Sequence, residues 1–150
     1  MYLTSVGKPK RVNIKLCKDA VKFFGMHLLG DNLYHKVAIN IKFDSSLSKK
    51  QEYAYCDWED QNYKAREFTI TIDPNLGKRN MLLALAHEMV HVKQYAKGEL
   101  KDYVRMNKTK WRDEIIESDE LDYWDQPWEI EAHGRERGLY FRFLNFQKVK

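Results

Sequence analysis

The chain has 150 residues and a formal net charge of +4, with 26 lysines and arginines against 22 aspartates and glutamates. This length predicts one domain over residues 1–150, large enough to bury a core without disulfide bonds. A hydrophobic content of 43% and a charged content of 32% exclude whole-chain disorder and a collagen-like fibre. No apolar run approaches the roughly 18 residues that span a bilayer, so we expect no membrane partner.

The cysteines and the first residues indicate the expected compartment. Residues 1–8 lack a charged start followed by an apolar stretch, so we predict no secretory signal. Cys17 and Cys56 belong to no CxxC spacing, which argues against a zinc ribbon and a disulfide framework. A reducing, cytoplasmic location is therefore expected. Both ends of the chain are rich in lysine and arginine, a pattern typical of a solvated surface that can also bind nucleic acid.

The first third of the chain predicts a helix and then a strand. Apolar residues recur at helical spacing over residues 17–29, and Gly30 is suited to end that helix. Residues 34–43 alternate between apolar and polar side chains, which is typical of a half-buried strand.

A hairpin and a central helix are predicted next. Residues 52–58 and 67–72 read as two strands joined by a turn at 60–62, which favours an antiparallel hairpin. A helix is expected over residues 79–97, closed by Gly98. It is apolar on most sides, so we expect it to be central. One stripe of it comprises Leu82, Leu85, Met89, Val92 and Ala96.

The last third of the chain is polar at first and helical at its end. Residues 99–122 show no clear periodicity and are left unassigned. Pro127 is suited to the first turn of a helix, which we expect to run to about residue 145. Its predicted buried residues are Ile130, Leu139, Phe143 and Phe146.

The central helix carries an HExxH motif formed by His87, Glu88 and His91. Histidines at positions i and i+4 project from the same helix face, so both imidazoles can reach one metal ion. The apolar stripe points the opposite way and would anchor the helix. Glu88 follows the first histidine directly and can reach a metal-bound water, which makes it the candidate general base.

A catalytic zinc site usually has a third protein ligand and keeps one position open for water. The predicted C-terminal helix offers Glu129, Glu131 and His133. On that helix Glu129 and His133 share a face with Glu136 and Tyr140, whereas Glu131 points roughly the other way. The helix geometry does not choose between Glu129 and His133.

The sequence HEMVH, followed downstream by Glu-x-x-Ala at residues 129–132, resembles the gluzincin-type zinc metallopeptidases. Residues 123–132 also resemble the end of small metallopeptidase-like proteins of bacteria and their phages, and the likeness covers about residues 66–140. The resemblance implies one Zn²⁺ ion held by His87, His91 and Glu129, and a peptide or protein substrate. A phage-encoded chain would be located in the host cytoplasm or in the virion.

The resemblance also bears on the residues around the third ligand. Those families often place an aspartate four residues after the ligand glutamate, where this chain has His133. His133 would then orient His87 or His91 through hydrogen bonding. Glu131 remains an alternative ligand, although we interpret Glu131 and Glu136 as surface charges of the helix.

Two alternative functions stay open. SprT-like proteases also begin their site with a motif like His-Glu-Met-x-His but use a third histidine, which would make His133 the ligand. That alternative predicts action near DNA and DNA binding that weakens steeply with salt. The other alternative is a catalytically inactive zinc-binding protein with a structural or virion-associated role.

Peptide hydrolysis also needs a donor for the developing oxyanion, and Tyr123, Tyr140, Tyr95 and His133 are the candidates. By resemblance, strand 67–72 would lie at a sheet edge beside the zinc and pair with an extended substrate. The alternative is an ordinary internal strand. The expected fold is α+β: a small, mostly antiparallel sheet packed on the HExxH helix and a C-terminal helix, as in a minimal zincin-like metallopeptidase.

Overall fold

The computed structural model describes residues 1–60, 64–103 and 108–149. Three long helices and seven strands follow one another in this part of the chain, which confirms the α+β class. In order they are β1 (Tyr2–Val6), α1 (Ile14–Tyr34), β2 (Ala38–Phe43), β3 (Ala54–Trp58), β4 (Glu67–Ile72), α2 (Lys78–Ala96), β5 (Leu100–Tyr103), β6 (Lys108–Trp111), β7 (Glu114–Glu117) and α3 (Pro127–Val149). A short 3-10 turn at Tyr123–Asp125 precedes α3.

The main sheet is mixed rather than mostly antiparallel. Its strand order is β1-β2-β4-β3; β1 and β4 both run parallel to β2, and only β3 and β4 are antiparallel. The predicted sheet type is therefore wrong for this sheet, because β1 precedes α1 and joins β2 through that helix as a parallel crossover. A second sheet of three strands, in the order β5-β6-β7, is antiparallel throughout and occupies part of the segment left unassigned.

The predicted hairpin of β3 and β4 is confirmed, with Cys56 opposite Ile70 in its register. Residues 61 and 62 of the predicted turn lie outside the described residues. Asp60 accepts hydrogen bonds from the backbone N–H groups of Arg66 and Glu67 and so fixes the entry into β4. Of the two alternatives for strand 67–72, the edge position is wrong and the internal position is confirmed: β4 lies between β2 and β3, and β3 is at an edge.

The helices agree with the predicted periodicity but differ at their ends. The backbone of α1 breaks at Gly30, whose φ of 77° is available to glycine, and α1 then continues to Tyr34. Helix α2 differs from the prediction by one residue at each end. In α3, Leu139 and Phe143 are buried as predicted, whereas Ile130 and Phe146 are exposed. The first turn of α3 buries Trp128 instead of Ile130.

Helix α2 occupies the centre of the core. Leu82, Leu85 and Met89 are completely buried, and α2 packs against the main sheet, α1 and α3. Full burial of one such side chain contributes about 1.5–3 kcal/mol, so this face fixes α2 firmly. No helix in the described parts of the chain has both the length and the apolar character needed to cross a bilayer.

Candidate metal centre

Helices α2 and α3 run antiparallel with their polar side chains facing each other. Near the end of α2, Gln94 Nε2 donates to the carbonyl oxygen of Trp128, in the first turn of α3. At the other end, the guanidinium of Arg79 lies 5.6 Å from the ring centre of Tyr140. The HExxH motif lies between these contacts, so it faces the first three turns of α3.

His87, His91 and Glu129 converge at this interface. The Nε2 atom of His87 lies 3.1 Å from Glu129 Oε2, and the Nε2 atom of His91 lies 3.0 Å from Glu129 Oε1. The two Nε2 atoms are 3.2 Å apart. These three residues form a buried group whose donor atoms are close enough together to share one metal ion.

The hydrogen bonds behind the imidazoles fix which nitrogen faces the group. Nδ1 of His87 lies 2.7 Å from Glu136 Oε2, and a carboxylate only accepts, so that nitrogen donates. Nδ1 of His91 lies 2.8 Å from Gln94 Oε1. The amide nitrogen of Gln94 already donates to Trp128 and Glu131, so its oxygen faces His91 and accepts. In both neutral imidazoles, Nε2 therefore carries the lone pair.

The arrangement fits a tetrahedral metal ion. Two imidazole lone pairs and one carboxylate point at the same place, where only a positive charge or a proton can satisfy all three. Ligand atoms of a tetrahedral zinc site with bonds of about 2.0 Å stand about 3.3 Å apart. The separations of 3.0–3.2 Å between the three donor atoms are close to that value. The donor set of two nitrogens and one oxygen also suits zinc.

Without an ion, protons hold the group together. Burial disfavours a charge on His87, but the hydrogen bonds to Glu129 and Glu136 outweigh it and raise the pKa of His87 to about 10. Burial also opposes the charge of Glu129, but hydrogen bonds from His87 and His91 hold its pKa far below the usual range. The pKa of His91 is raised by Glu129 in the same way, against the effect of burial.

Glu88 is buried on the same helix turn as the two histidines and lines the cleft at the group. Burial is the main reason that the pKa of Glu88 is raised, and positive charge on His91 and His87 partly opposes that rise. It is separate from the three residues that share donor atoms within 4.8 Å. Its carboxylate is therefore available for a role other than ligation.

Glu136 and Gln94 were not identified as site residues from the sequence. Glu136 is not the predicted surface charge: it is partly buried and holds His87. The only local signal for it was the helix face that it shares with Glu129. Gln94 is completely buried and holds His91, three residues earlier on the same helix. Its spacing of i+3 from a ligand-type histidine was a usable signal.

Glu131 is not a surface charge either. Its carboxylate accepts from Lys93 at 2.8 Å and from Gln94 at 2.9 Å, and its side chain is only 18% exposed. These contacts point Glu131 away from His87 and His91, as the helix geometry predicted. Glu131 therefore supports Gln94, which in turn holds His91.

His133 lies beside the group but makes different contacts. Its Nε2 atom is 3.9 Å from Glu129 Oε2 and 3.0 Å from the hydroxyl of Tyr123. That hydroxyl donates to Glu129 Oε2 at 2.8 Å, so the Nε2–H of His133 donates to the Tyr123 oxygen. His133 also belongs to a second metal-capable group with His87 and Glu136, but this group uses the outer side of His87.

A cleft of about 760 Å³ opens onto the group. Edge strand β3 forms one wall, the polar face of α2 forms the floor, and Tyr123 with the start of α3 forms the other wall. Tyr95 lines the cleft and packs against Trp58, with ring centres 4.7 Å apart and ring planes tilted by 33°. Tyr140, the other predicted oxyanion donor, is not among the cleft-lining residues described by the structure; it packs against Arg79 instead.

Comparisons with protein-family models, with curated proteins and with solved structures give no significant match. The resemblance to zinc metallopeptidases therefore depends on the motif residues and on the buried group that they form.

Proposed function

We propose that this protein is a zinc-dependent hydrolase of peptide or protein amide bonds. The observation that carries the proposal is the convergence of two imidazole lone pairs and the Glu129 carboxylate within 3.0–3.2 Å, at the floor of an open cleft. A bound zinc ion would polarise the substrate carbonyl and acidify a water molecule there.

The number of protein ligands favours a catalytic role over a purely structural one. Among the described residues, the group at Glu129 has three members, His87, His91 and Glu129. Structural zinc sites are usually closed by a fourth protein ligand, whereas catalytic sites keep that position for water or substrate. The cleft gives solvent and substrate access to the same place.

Glu88 is proposed as the general base. It lies on the same helix turn as both histidines, and metal ligation does not require it. It would take a proton from the attacking water and deliver that proton to the leaving amine. The presence of Glu88 also argues against a site that only binds zinc.

Edge strand β3 is the proposed support for an extended substrate. Residues of β3 line a wall of the cleft, and within the described parts of the chain β3 pairs with β4 alone. An extended peptide can add to such an edge through main-chain hydrogen bonds. The sequence suggested this role for strand 67–72, but β4 is internal and its neighbour β3 takes the place at the edge. Tyr123 and His133, on the opposite wall, are the proposed donors to the developing oxyanion.

The SprT-like alternative requires His133 as the third ligand. The contacts favour Glu129, because Glu129 faces the Nε2 atoms of both histidines and His133 faces Tyr123. A role near DNA therefore has less support than a general peptidase function.

Replacement of Glu88 by Gln tests the proposal. The zinc-loaded Glu88→Gln protein should keep about one ion per chain and lose about 10²–10⁴-fold of the turnover on a peptide mixture, because the base is removed and the ligands remain. Zinc content is measured by elemental analysis and cleavage by mass spectrometry. Glu114→Gln, on the exposed strand β7, is the matched control and should keep full turnover. Equal cleavage by wild type and Glu88→Gln, or no cleavage by the zinc-loaded wild type, would end the proposal.

A further inference from the structure

The cleft has two halves that differ in chemistry, and the strand register places them on either side of the histidine pair. Ala54, at the start of β3, pairs with Ile72, which is followed by the start of α2. Trp58, at the end of β3, packs against Tyr95 near the end of α2. The start of β3 therefore lies beside the first half of α2, and its end lies beside the second half.

The half beside the end of α2 is apolar. Tyr95, Leu100 and Trp128 line it, and Leu100 and Trp128 are buried. Cys56 on β3 adds a thiol to this half. Among the described residues that line it, none carries a formal charge away from the metal group itself.

The half beside the start of α2 carries two carboxylates. Glu52 precedes β3, and Glu136 lies on α3 at the level of His87. Asn80 and Leu83 of α2 complete this half. Glu52 is exposed and has no ion-pair partner among the residues that the structure describes. Glu136 contacts His87 through Oε2.

The charge of the cleft is opposite to that of the chain. The protein as a whole has a formal net charge of +4, yet no lysine or arginine is among the described residues that line the cleft. A cleft lined by charges of one sign attracts ligands of the opposite sign and repels others. With Zn²⁺ bound and both imidazoles neutral, the ion offsets two negative charges, whereas Glu52, Glu129 and Glu136 supply three even without Glu88. The cleft therefore stays negative in a positive chain and selects a cationic ligand.

We propose that the substrate is a peptide with a basic side chain over the Glu52 and Glu136 half and an apolar side chain over the Tyr95, Leu100 and Trp128 half. This inference rests on the proposed function and adds a substrate class to it. Glu52 would form the ion pair that distinguishes lysine or arginine from glutamate. Such a pair, partly desolvated in a cleft, corresponds to about a tenfold preference.

Peptide binding to the zinc-loaded Glu88→Gln protein tests the inference without depending on cleavage. Labelled octapeptides would carry lysine on one side of a central bond and leucine on the other, in both orders, and matched peptides would carry glutamate in place of lysine. Fluorescence anisotropy should show that the better lysine peptide binds about tenfold more tightly than its glutamate counterpart. In the Glu52→Lys, Glu88→Gln double variant, this preference should disappear or reverse. Glu114→Lys in the same background changes the net charge equally on β7 and should preserve the preference.

Equal binding of lysine and glutamate peptides, a preference that Glu52→Lys leaves unchanged, or no binding of any peptide would overturn the inference. Cleavage by the zinc-loaded wild type is scored separately. Cleavage without a charge preference in binding would contradict the proposed substrate class and leave the proposed hydrolysis standing. Charge-selective binding without cleavage would contradict the proposed hydrolysis and leave the proposed peptide preference of the cleft standing.

Discussion

The two faces of α2 are buried to nearly the same extent but for different reasons. On one face, Leu82 and Leu85 are 0% exposed and belong to the apolar core. On the other face, His87 is 9% exposed and His91 is 8% exposed; both face carboxylates from α3, and His91 also contacts the amide of Gln94 on α2 itself. Burial of the apolar face stabilises the fold, whereas burial of the polar face carries a desolvation cost that hydrogen bonds must offset.

The two faces of α2 place different demands on the side chains that occupy them. The apolar face needs only volume and shape, so many side chains of similar size would serve there. The polar face needs a specific partner for each nitrogen, and those partners come from Gln94, Glu129 and Glu136. An arrangement of buried polar groups with this desolvation cost is typical of a binding or catalytic site.

Removal of a ligand should have the largest effect on the polar face. Glu129→Ala should lower zinc affinity by more than about a hundredfold. Loss of a residue that only hydrogen-bonds to a ligand already lowers metal affinity 10–100-fold, and Glu129 is itself a proposed ligand. His133→Ala, one helix turn further along, is the matched control and should bind zinc nearly as well as the wild type. Competition with a chromophoric chelator measures both affinities. Zinc loss in His133→Ala with retention in Glu129→Ala would reverse the ligand assignment and favour the SprT-like alternative.

Truncation on the apolar face should affect stability and leave the metal group intact. Leu85→Ala should lower the free energy of unfolding by about 2–5 kcal/mol, because it leaves a cavity in a closely packed core. Denaturant unfolding with and without zinc should show that the added stability from the ion is unchanged. Ile115→Ala, at an exposed position, should change stability by less than about 0.5 kcal/mol. A loss of zinc affinity in Leu85→Ala would show that the two faces are coupled.

Gln94 offers a sharper test of the polar face, because it orients His91 but is not one of the three candidate ligands. Gln94→Leu should lower zinc affinity about 10–100-fold by releasing the Nδ1 atom of His91. Lys97→Leu, at the exposed end of the same helix, should not. The same chelator competition gives both values, and unchanged affinity in Gln94→Leu would mean that packing alone holds His91.

The smallest expected effect is a release of protons on metal binding. The raised pKa of His87, about 10, means that this residue holds an extra proton at pH 7 when no ion is bound, whereas a metal ion requires a neutral imidazole. Zinc uptake should therefore release about one proton or more per ion. Apparent affinity should rise with pH until it levels off near the pKa of His87, about 10. Calorimetry at pH 7 in two buffers of different ionisation enthalpy measures the release; identical heats would contradict the prediction.

Local patterns predicted the helices and the hairpin well because they depend on neighbouring residues. Helix α2 was predicted to within one residue at each end, and the pairing of β3 with β4 was expected from their short connection. The strand order was not predictable, because β2 pairs with both β1 and β4 across long stretches of chain. Strands β5, β6 and β7 have only four residues each, too few to show a periodicity.

The site also combines residues that local spacing predicts with residues that only tertiary packing brings together. His87 and His91 follow from spacing on one helix, which the sequence displays directly. Glu129 came from resemblance, because helix geometry left it level with His133. The contact between Glu136 and His87 joins residues 49 positions apart, and only the packing of α3 on α2 creates it. Long-range partners of this kind carry no local signal.

The antiparallel docking of α3 on α2 has a consequence for when the site forms during synthesis and folding. His87 and Glu129 are 42 positions apart, so neither helix alone holds the full set of donors. During synthesis the motif helix is made well before its partner, and the centre is completed only when the last helix has settled into place. The proposed hydrolytic activity would therefore be absent from the nascent polypeptide and would begin only after α3 has packed against α2.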